Sequence, residues 1–354
     1  MAASRDGLLQ PCFRELAAHL KETGTRSSVL HGIDPITGNV GRDLDLYIPD
    51  RAAAAGTALA FADILKRNGF HWVTLADPVW GHRCVGVTQP EYFYCELHIL
   101  STLRHGPLDF GSLFELSGQE EALGLVFDPA FWFAKSCFTK YSTQVMQLKP
   151  IWEGREIDPF SLSHREEIER RFGACGKAGQ EFVRLALSAD SHPILVARKR
   201  ALRAVLWRHC AAHPMQAADA AEDWLVHKIS RYFSPCVPAF CLLTSQPPEK
   251  IQSQLEEKLE GIFLEIWVGS GKLGALERRR LLGRQSLLVH SSSDARHKCG
   301  SDLALNAGSG MEDDIDIDKL CREILDAFVD FNRRWKSDYA QRGRTYRGAK
   351  LGSV

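Results

Sequence analysis

Apolar and polar positions alternate with different periods along the chain, and the changes of period mark its elements. Over residues 8–20 ("LLQPCFRELAAHL") apolar side chains recur at helical spacing, with Lys21 and Gly24 near the end, which predicts an amphipathic helix. Residues 28–31 and 44–48 predict two short strands. Pro49-Asp50 stops the second, and "RAAAAGTALAFADILKRNGF" predicts a helix that closes at Gly69. The runs "HWVTLA", "RCVGVT" and "EYFYCELHIL" then predict further strands. A helix, two strands, a helix and several strands imply a mixed sheet carrying helices, an α/β or α+β domain over 1–124.

From "FDPAFWFAKSCFTKYSTQVMQL" onward the period becomes helical. "SHREEIERRFG", "AGQEFVRLALSA", "PILVARKRALRAVLWRHCAAH" and "AADAAEDWLVHKISRYF" all carry it, so 125–233 is predicted as a helical domain. A third region, 234–354, begins strand, loop, helix, strand and predicts a smaller α/β domain. "RQSLLVHSSS" adds a candidate strand, the Gly/Ser-rich 291–314 a loop, and "IDKLCREILDAFVDFNRRW" an amphipathic helix with a frayed basic tail.

Composition narrows the class. Of 354 residues 45% are hydrophobic and 25% charged, and formal net charge is zero, so bulk charge does not point to nucleic acid or a membrane surface. The ten cysteines are scattered without a CxxC pair, as expected of free thiols in a reducing compartment. No run reaches the ~18 apolar residues of a membrane span, and "MAASRDGLLQPCFREL" lacks the pattern of a secretory leader. The expectation is a soluble, cytoplasmic protein.

The chemistry concentrates in "VLHGIDPITGNVGRDLDLYIPD". In a strand, residues two apart share a face, so Asp43 and Asp45 project together while Leu44 and Leu46 face a core. Paired carboxylates repel unless a cation lies between them, and hard ions such as Mg²⁺ take oxygen ligands of this kind. Glu96 interrupts the apolar strand "YFYCELHIL" and shares a face with Tyr94 and His98, so it can supply a third carboxylate if the two strands are neighbours. Gly32, at the end of the preceding strand, permits close backbone approach to a phosphate. Blander roles compete: Glu96 as a solvated edge residue, His98 as a structural histidine. The similar alternation in "EDDIDID" reads as capping of the last helix.

These residues resemble the DNA polymerase beta-type nucleotidyltransferase superfamily. The shared pattern is His31-Gly32-Ile33, nine residues, Asp43-Leu44-Asp45-Leu46 and then Glu96, with Ile33 standing where a small residue is usual. The resemblance implies Mg²⁺ (or Mn²⁺) held by Asp43, Asp45 and Glu96, and a triphosphate steadied by Gly32 and its loop. Thr37, Asn39 and Arg42 are loop candidates for phosphate, as are Lys135 and Lys140 beyond the sheet, where a surface role competes. It also implies a partner NTP and a small acceptor in cell-surface polysaccharide synthesis.

The C-terminal third resembles a thymidylate-kinase-like P-loop domain in degenerate form. "AFCLL" leads into "TSQPPEKI", where Thr244 and Glu249 occupy glycine positions, Lys250 the lysine position and Ile251 the Ser/Thr position. A working loop cradles phosphate with successive N–H groups, and Pro247 and Pro248 have none. Two functions follow: a Mg²⁺-dependent nucleotidyltransferase, or a nucleotidyltransferase-like binding protein that has lost the chemistry.

Overall fold

The computed structural model describes residues 5–33, 40–76, 82–114, 116, 119–120, 122–127, 176–187, 192–215, 217–218, 221–222, 224–225, 229, 237–263, 265–270, 273–282, 286–292, 303–305 and 315–350. It is a mixed α/β chain. Lys135 and Lys140, the loop candidates Thr37 and Asn39, and residues 128–175 of the helical domain expected over 125–233 lie outside the described residues.

The first elements are α1 (Arg5–Glu22), β1 (Ser28–Ile33), β2 (Val40–Tyr47), α2 (Arg51–Arg67), β3 (Trp72–Ala76), β4 (His82–Val87) and β5 (Tyr94–Leu100). After them come β6 (Arg104–His105), β7 (Leu108–Asp109), β8 (Gln119–Glu120) and β9 (Val126–Phe127). Seven of these strands form one sheet in the order β3-β4-β5-β2-β1-β9-β8. The strand bearing Glu96 is therefore the neighbour of the strand bearing Asp43 and Asp45. β1 and β2 pair antiparallel. β2 and β5 run parallel, because Ile48 N–H donates to Leu100 O and Asp45 lies beside His98, a nearly constant offset.

By backbone contacts the chain divides into two compact units, each built from two stretches. One comprises Met1–Ile64 and Leu97–Val226, the other Leu65–Glu96 and His227–Val354. The division falls inside β5, between Glu96 and Leu97.

In the first unit the leucines of the Asp-Leu-Asp-Leu run are sequestered: Leu44, Leu46 and Ile48 are fully buried. Phe13 of α1 and Phe61 of α2 stack with centroids 6.1 Å apart, also fully buried. Each such side chain contributes about 1.5–3 kcal/mol by leaving water. Asp50 starts α2 by accepting the N–H groups of Ala52 and Ala53, both at 2.8 Å, and Gly69, at φ +84°, closes the turn beyond it. The helices α3 (Lys177–Leu187) and α4 (His192–Ala212) follow.

The second unit contains β10 (Ala239–Leu243), α5 (Pro248–Leu259), β11 (Ile266–Gly269), α6 (Ala275–Leu282), β12 (Leu287–Ser292), β13 (Leu303–Leu305) and α7 (Ile317–Lys350). The four strands β11-β12-β10-β13 form an all-parallel sheet in that order. Parallel strands are buried on both faces. Phe240, Leu242 and Val289 join a core with Ile251 and Leu255 of α5 and Leu325 and Phe328 of α7, whereas Ala239 and Leu288 meet Leu281 and Leu282 of α6. Trp72 of β3 enters the larger core, and its indole N–H donates to Asp326 Oδ1 at 2.8 Å. β13 falls within a stretch expected to be loop. Three residues flanked by Gly, Ser and charge carry too short a pattern to stand out, and pairing with β10 makes them a strand. α7 continues to Lys350, through the tail expected to fray. Asp316 caps it by accepting Lys319 N–H at 2.9 Å, the role expected of the acidic run.

Candidate functional site

β2 places two half-buried carboxylates, Asp43 and Asp45, on the face opposite the fully buried Leu44 and Leu46. Strand alternation produces this directly. What alternation does not produce is the histidine opposite them. In the β1–β2 register Val29 faces Leu46, but His31 faces Asp45, so two residues of β1 span one of β2. This bulge at Leu30 turns His31 from the core face, where Val29 is buried, to the carboxylate face. A second irregularity follows between His31 and Ile33.

Gly32 makes that second irregularity possible. Its φ is +95°, and a Cβ there would lie 2.1 Å from the carbonyl oxygen of Asp43 and 2.7 Å from Leu44 Cα. The same conformational freedom lets β1 approach β2 closely. Arg42 is exposed at the start of the Asp-Leu-Asp run.

On the other side of β2, His98 of β5 brings Nδ1 to 3.4 Å from Asp45 Oδ1, with side chains 20% and 15% exposed respectively. That spacing exceeds the 2.7–3.2 Å of a good N–H···O hydrogen bond. His31, Asp45 and His98 thus form a row across β1, β2 and β5, all within the first unit, with Asp43 next along β2.

Glu96 belongs to the second unit and has a different partner. Arg83 of β4 grips it with two parallel hydrogen bonds, Nε to Oε1 and Nη2 to Oε2, the latter at 2.5 Å. Both side chains are only 12% exposed. Such fork-to-carboxylate pairing is strong and oriented. In sequence, Arg83 is one polar residue at the head of an apolar strand, and only the β4–β5 hairpin gives it meaning. Each Glu96 oxygen thus accepts one hydrogen bond from Arg83, while Asp43 and Asp45 carry the hard-oxygen chemistry a divalent cation needs. Among the described residues no three His, Cys, Asp or Glu side chains already converge as a metal cluster.

A further polar constellation escaped the sequence reading. Asp109 accepts Gly111 N–H at 2.9 Å, and Ser112 Oγ lies 2.9 Å from His209 Nε2 of α4. Burial raises the Asp109 pKa, and hydrogen bonds from Gly111 and Ser112 oppose the rise. Burial, then His213, its ring tilted by 36° with centroids 4.4 Å apart, lowers that of His209. The serine sits between the acid and the histidine. Its proton goes to Asp109 and its lone pair to His209 N–H, the reverse of an activated nucleophile, for which the histidine stands between. This is a structural relay tying a 3-10 turn, Gly111–Leu113, to α4.

The turn after β10 is closed on itself. Thr244 N–H donates to Ser292 O at 2.9 Å, Gln246 N–H to Thr244 Oγ1 at 3.0 Å and Lys250 N–H to Pro247 O at 3.2 Å. With Pro247 and Pro248 lacking N–H and those of Thr244, Gln246 and Lys250 engaged, few donors of a phosphate cradle are left. The described cysteines, Cys12, Cys84, Cys95, Cys210, Cys241 and Cys321, are thiols outside any disulfide and are buried. Burial is the main cause that pushes Cys12 and Cys321 up to about 12, so neither is a thiolate near neutrality. No helix among the described residues is long and apolar enough to cross a membrane.

Comparison with protein-family models, curated proteins and solved structures finds no match for this chain.

Proposed function

We propose that the chain is a divalent-metal-dependent nucleotidyltransferase that moves a nucleoside monophosphate from an NTP to a small acceptor. The observation that carries this reading is the two-sidedness of β2: Asp43 and Asp45 on the open face, Leu44 and Leu46 at 0% exposure behind them. Two carboxylates on one strand face supply hard oxygen donors, and Asp43 and Asp45 would hold the cation. When bound, Mg²⁺ or Mn²⁺ supplies Lewis-acid stabilisation of the transferring phosphoryl group. The chain's own residues do the positioning. The buried leucines keep both carboxylates aimed from one strand, and His98 Nδ1 lies 3.4 Å from Asp45 Oδ1. Arg42, exposed one residue before Asp43, would meet phosphate charge. By resemblance, the acceptor belongs to cell-surface polysaccharide synthesis.

The test is pyrophosphate release from each NTP with sugar phosphates as acceptors, in Mg²⁺ or Mn²⁺. Asp43→Asn/Asp45→Asn should abolish release without loss of fold. Release unchanged in that variant refutes the assignment.

A second reading, a nucleotidyltransferase-like binding protein without turnover, is favoured by the Arg83 grip on Glu96 and by the self-satisfied turn at Thr244–Gln246. It expects Mg²⁺-dependent NTP binding, seen as a thermal shift, with no pyrophosphate from any acceptor.

A further inference from the structure

The chain as a whole carries no net charge, yet its charges are unevenly spread. In the first unit α3 and α4 pack on one another, and together they hold seven lysines and arginines against one acid, Glu181. Four of these cations, Lys199, Arg200, Arg203 and Arg208, fall within ten residues of α4. Like charges gathered this way repel one another and raise the local potential, which an anionic partner relieves.

Burial fixes the side of α4 they occupy. Leu202, Val205 and Leu206 are turned inward at 0–1% exposure, whereas Arg200, Arg203, Trp207 and Arg208 are exposed. Arg200 and Trp207 are nearly two full turns apart and so lie in line, with Arg203 and Arg208 to either side. Trp207 is 61% exposed, and Ala204 and Ala211, its neighbours one turn before and one turn after, are too short to cover the indole. Two of the cations are anchored from other elements. Arg203 Nε donates to His105 Nε2 at 2.7 Å, and Arg208 Nη2 to Glu181 Oε1 at 2.6 Å. Lys199 lies near the same imidazole, since burial, then Arg203 and Lys199, lower the His105 pKa.

We propose that this face of α4 binds single-stranded nucleic acid, with Lys199, Arg200 and Arg203 on successive phosphates and a base stacked on Trp207. Guanidinium forks match phosphate oxygens, and an exposed indole beside them offers a platform that any unpaired base can use. The inward turn of Leu202, Val205 and Leu206 disfavours a membrane as the partner, because an interfacial helix inserts an apolar face and here that face is already buried. The proposal stands apart from the transferase reading, so binding should persist in Asp43→Asn/Asp45→Asn.

The experiment follows the fluorescence anisotropy of a labelled oligo(dT) of about 16 nucleotides titrated with the full chain at about 50 mM salt. Saturable binding is expected, with a log–log salt slope of about −2 for three phosphates at about −0.7 each. Trp207→Ala should weaken binding at least about fivefold and leave the slope unchanged, and Trp207→Phe should restore most of the loss. Arg200→Gln should weaken binding and flatten the slope by about 0.7. All three changes lie on exposed positions, and native circular dichroism checks that each variant folds. Absence of saturable binding, equal affinity for duplex, or wild-type affinity in Trp207→Ala overturns the proposal. So does displacement of the oligonucleotide, at equal charge, by phosphatidylserine vesicles or by polygalacturonate.

Discussion

Removing Arg83 leaves Glu96 as a buried carboxylate without its cation. The pair is nine-tenths shielded on both sides, each side chain 12% exposed, and joined by two charge-assisted hydrogen bonds. A surface pair contributes only about 0–1 kcal/mol. Breaking a buried one by deleting a partner costs about 3–5 kcal/mol, because the remaining charge is stranded. Arg83→Met should therefore lower unfolding free energy by about 3–5 kcal/mol. In a unit of this size that corresponds to roughly 6–20 °C in Tm, at about 2–4 °C per kcal/mol. The double variant Arg83→Met/Glu96→Met removes both charges while keeping similar volume, and should recover most of the loss. The assay is urea unfolding of wild type, both single variants and the double variant, followed by circular dichroism, which closes a double-mutant cycle. A loss below about 1 kcal/mol for Arg83→Met, or a double variant as unstable as the sum of the singles, would show that water solvates the pair and would refute the reasoning.

Other outcomes follow from the same physics. Gly32→Ala places a Cβ 2.1 Å from the Asp43 carbonyl oxygen at a φ of +95°, so it should destabilise the fold by about 2 kcal/mol or more in urea titration, whereas the open Gly24→Ala should cost less. Leu44→Ala, behind the carboxylates at 0% exposure, should cost about 2–5 kcal/mol by calorimetry, set against a Tm little changed in Asp43→Asn/Asp45→Asn. His290, edge-on to Trp267 at 5.6 Å, has its pKa lowered by burial and then by Arg278. A lowered imidazole pKa gives stability that is present above the unfolded value of about 6.5 and lost as pH falls through the folded one. The urea midpoint should thus drop between pH 7 and pH 5, and His290→Leu should flatten the drop; equal slopes in both proteins would exclude it.

The local grammar of the chain was readable because its causes are local. The alternation in Asp43-Leu44-Asp45-Leu46 has one solution, leucines inward and carboxylates outward, and both leucines are fully buried. The Asp50 and Asp316 caps and the Gly69 closure depend on residues within a turn of one another. By contrast, the partner of Glu96 lies 13 residues away and meets it only because β4 and β5 pair. His31 joins Asp45 only because a bulge at Leu30 reverses the side-chain direction that its position in the strand would give. The order of the strands, which sets His98 beside Asp45, is likewise a matter of which segments pair. A strand's own residues dictate which of its side chains share a face. Which neighbours those side chains find, and so whether a carboxylate meets an arginine or an imidazole, is decided by long-range pairing and register, where a shift of a single residue exchanges every contact.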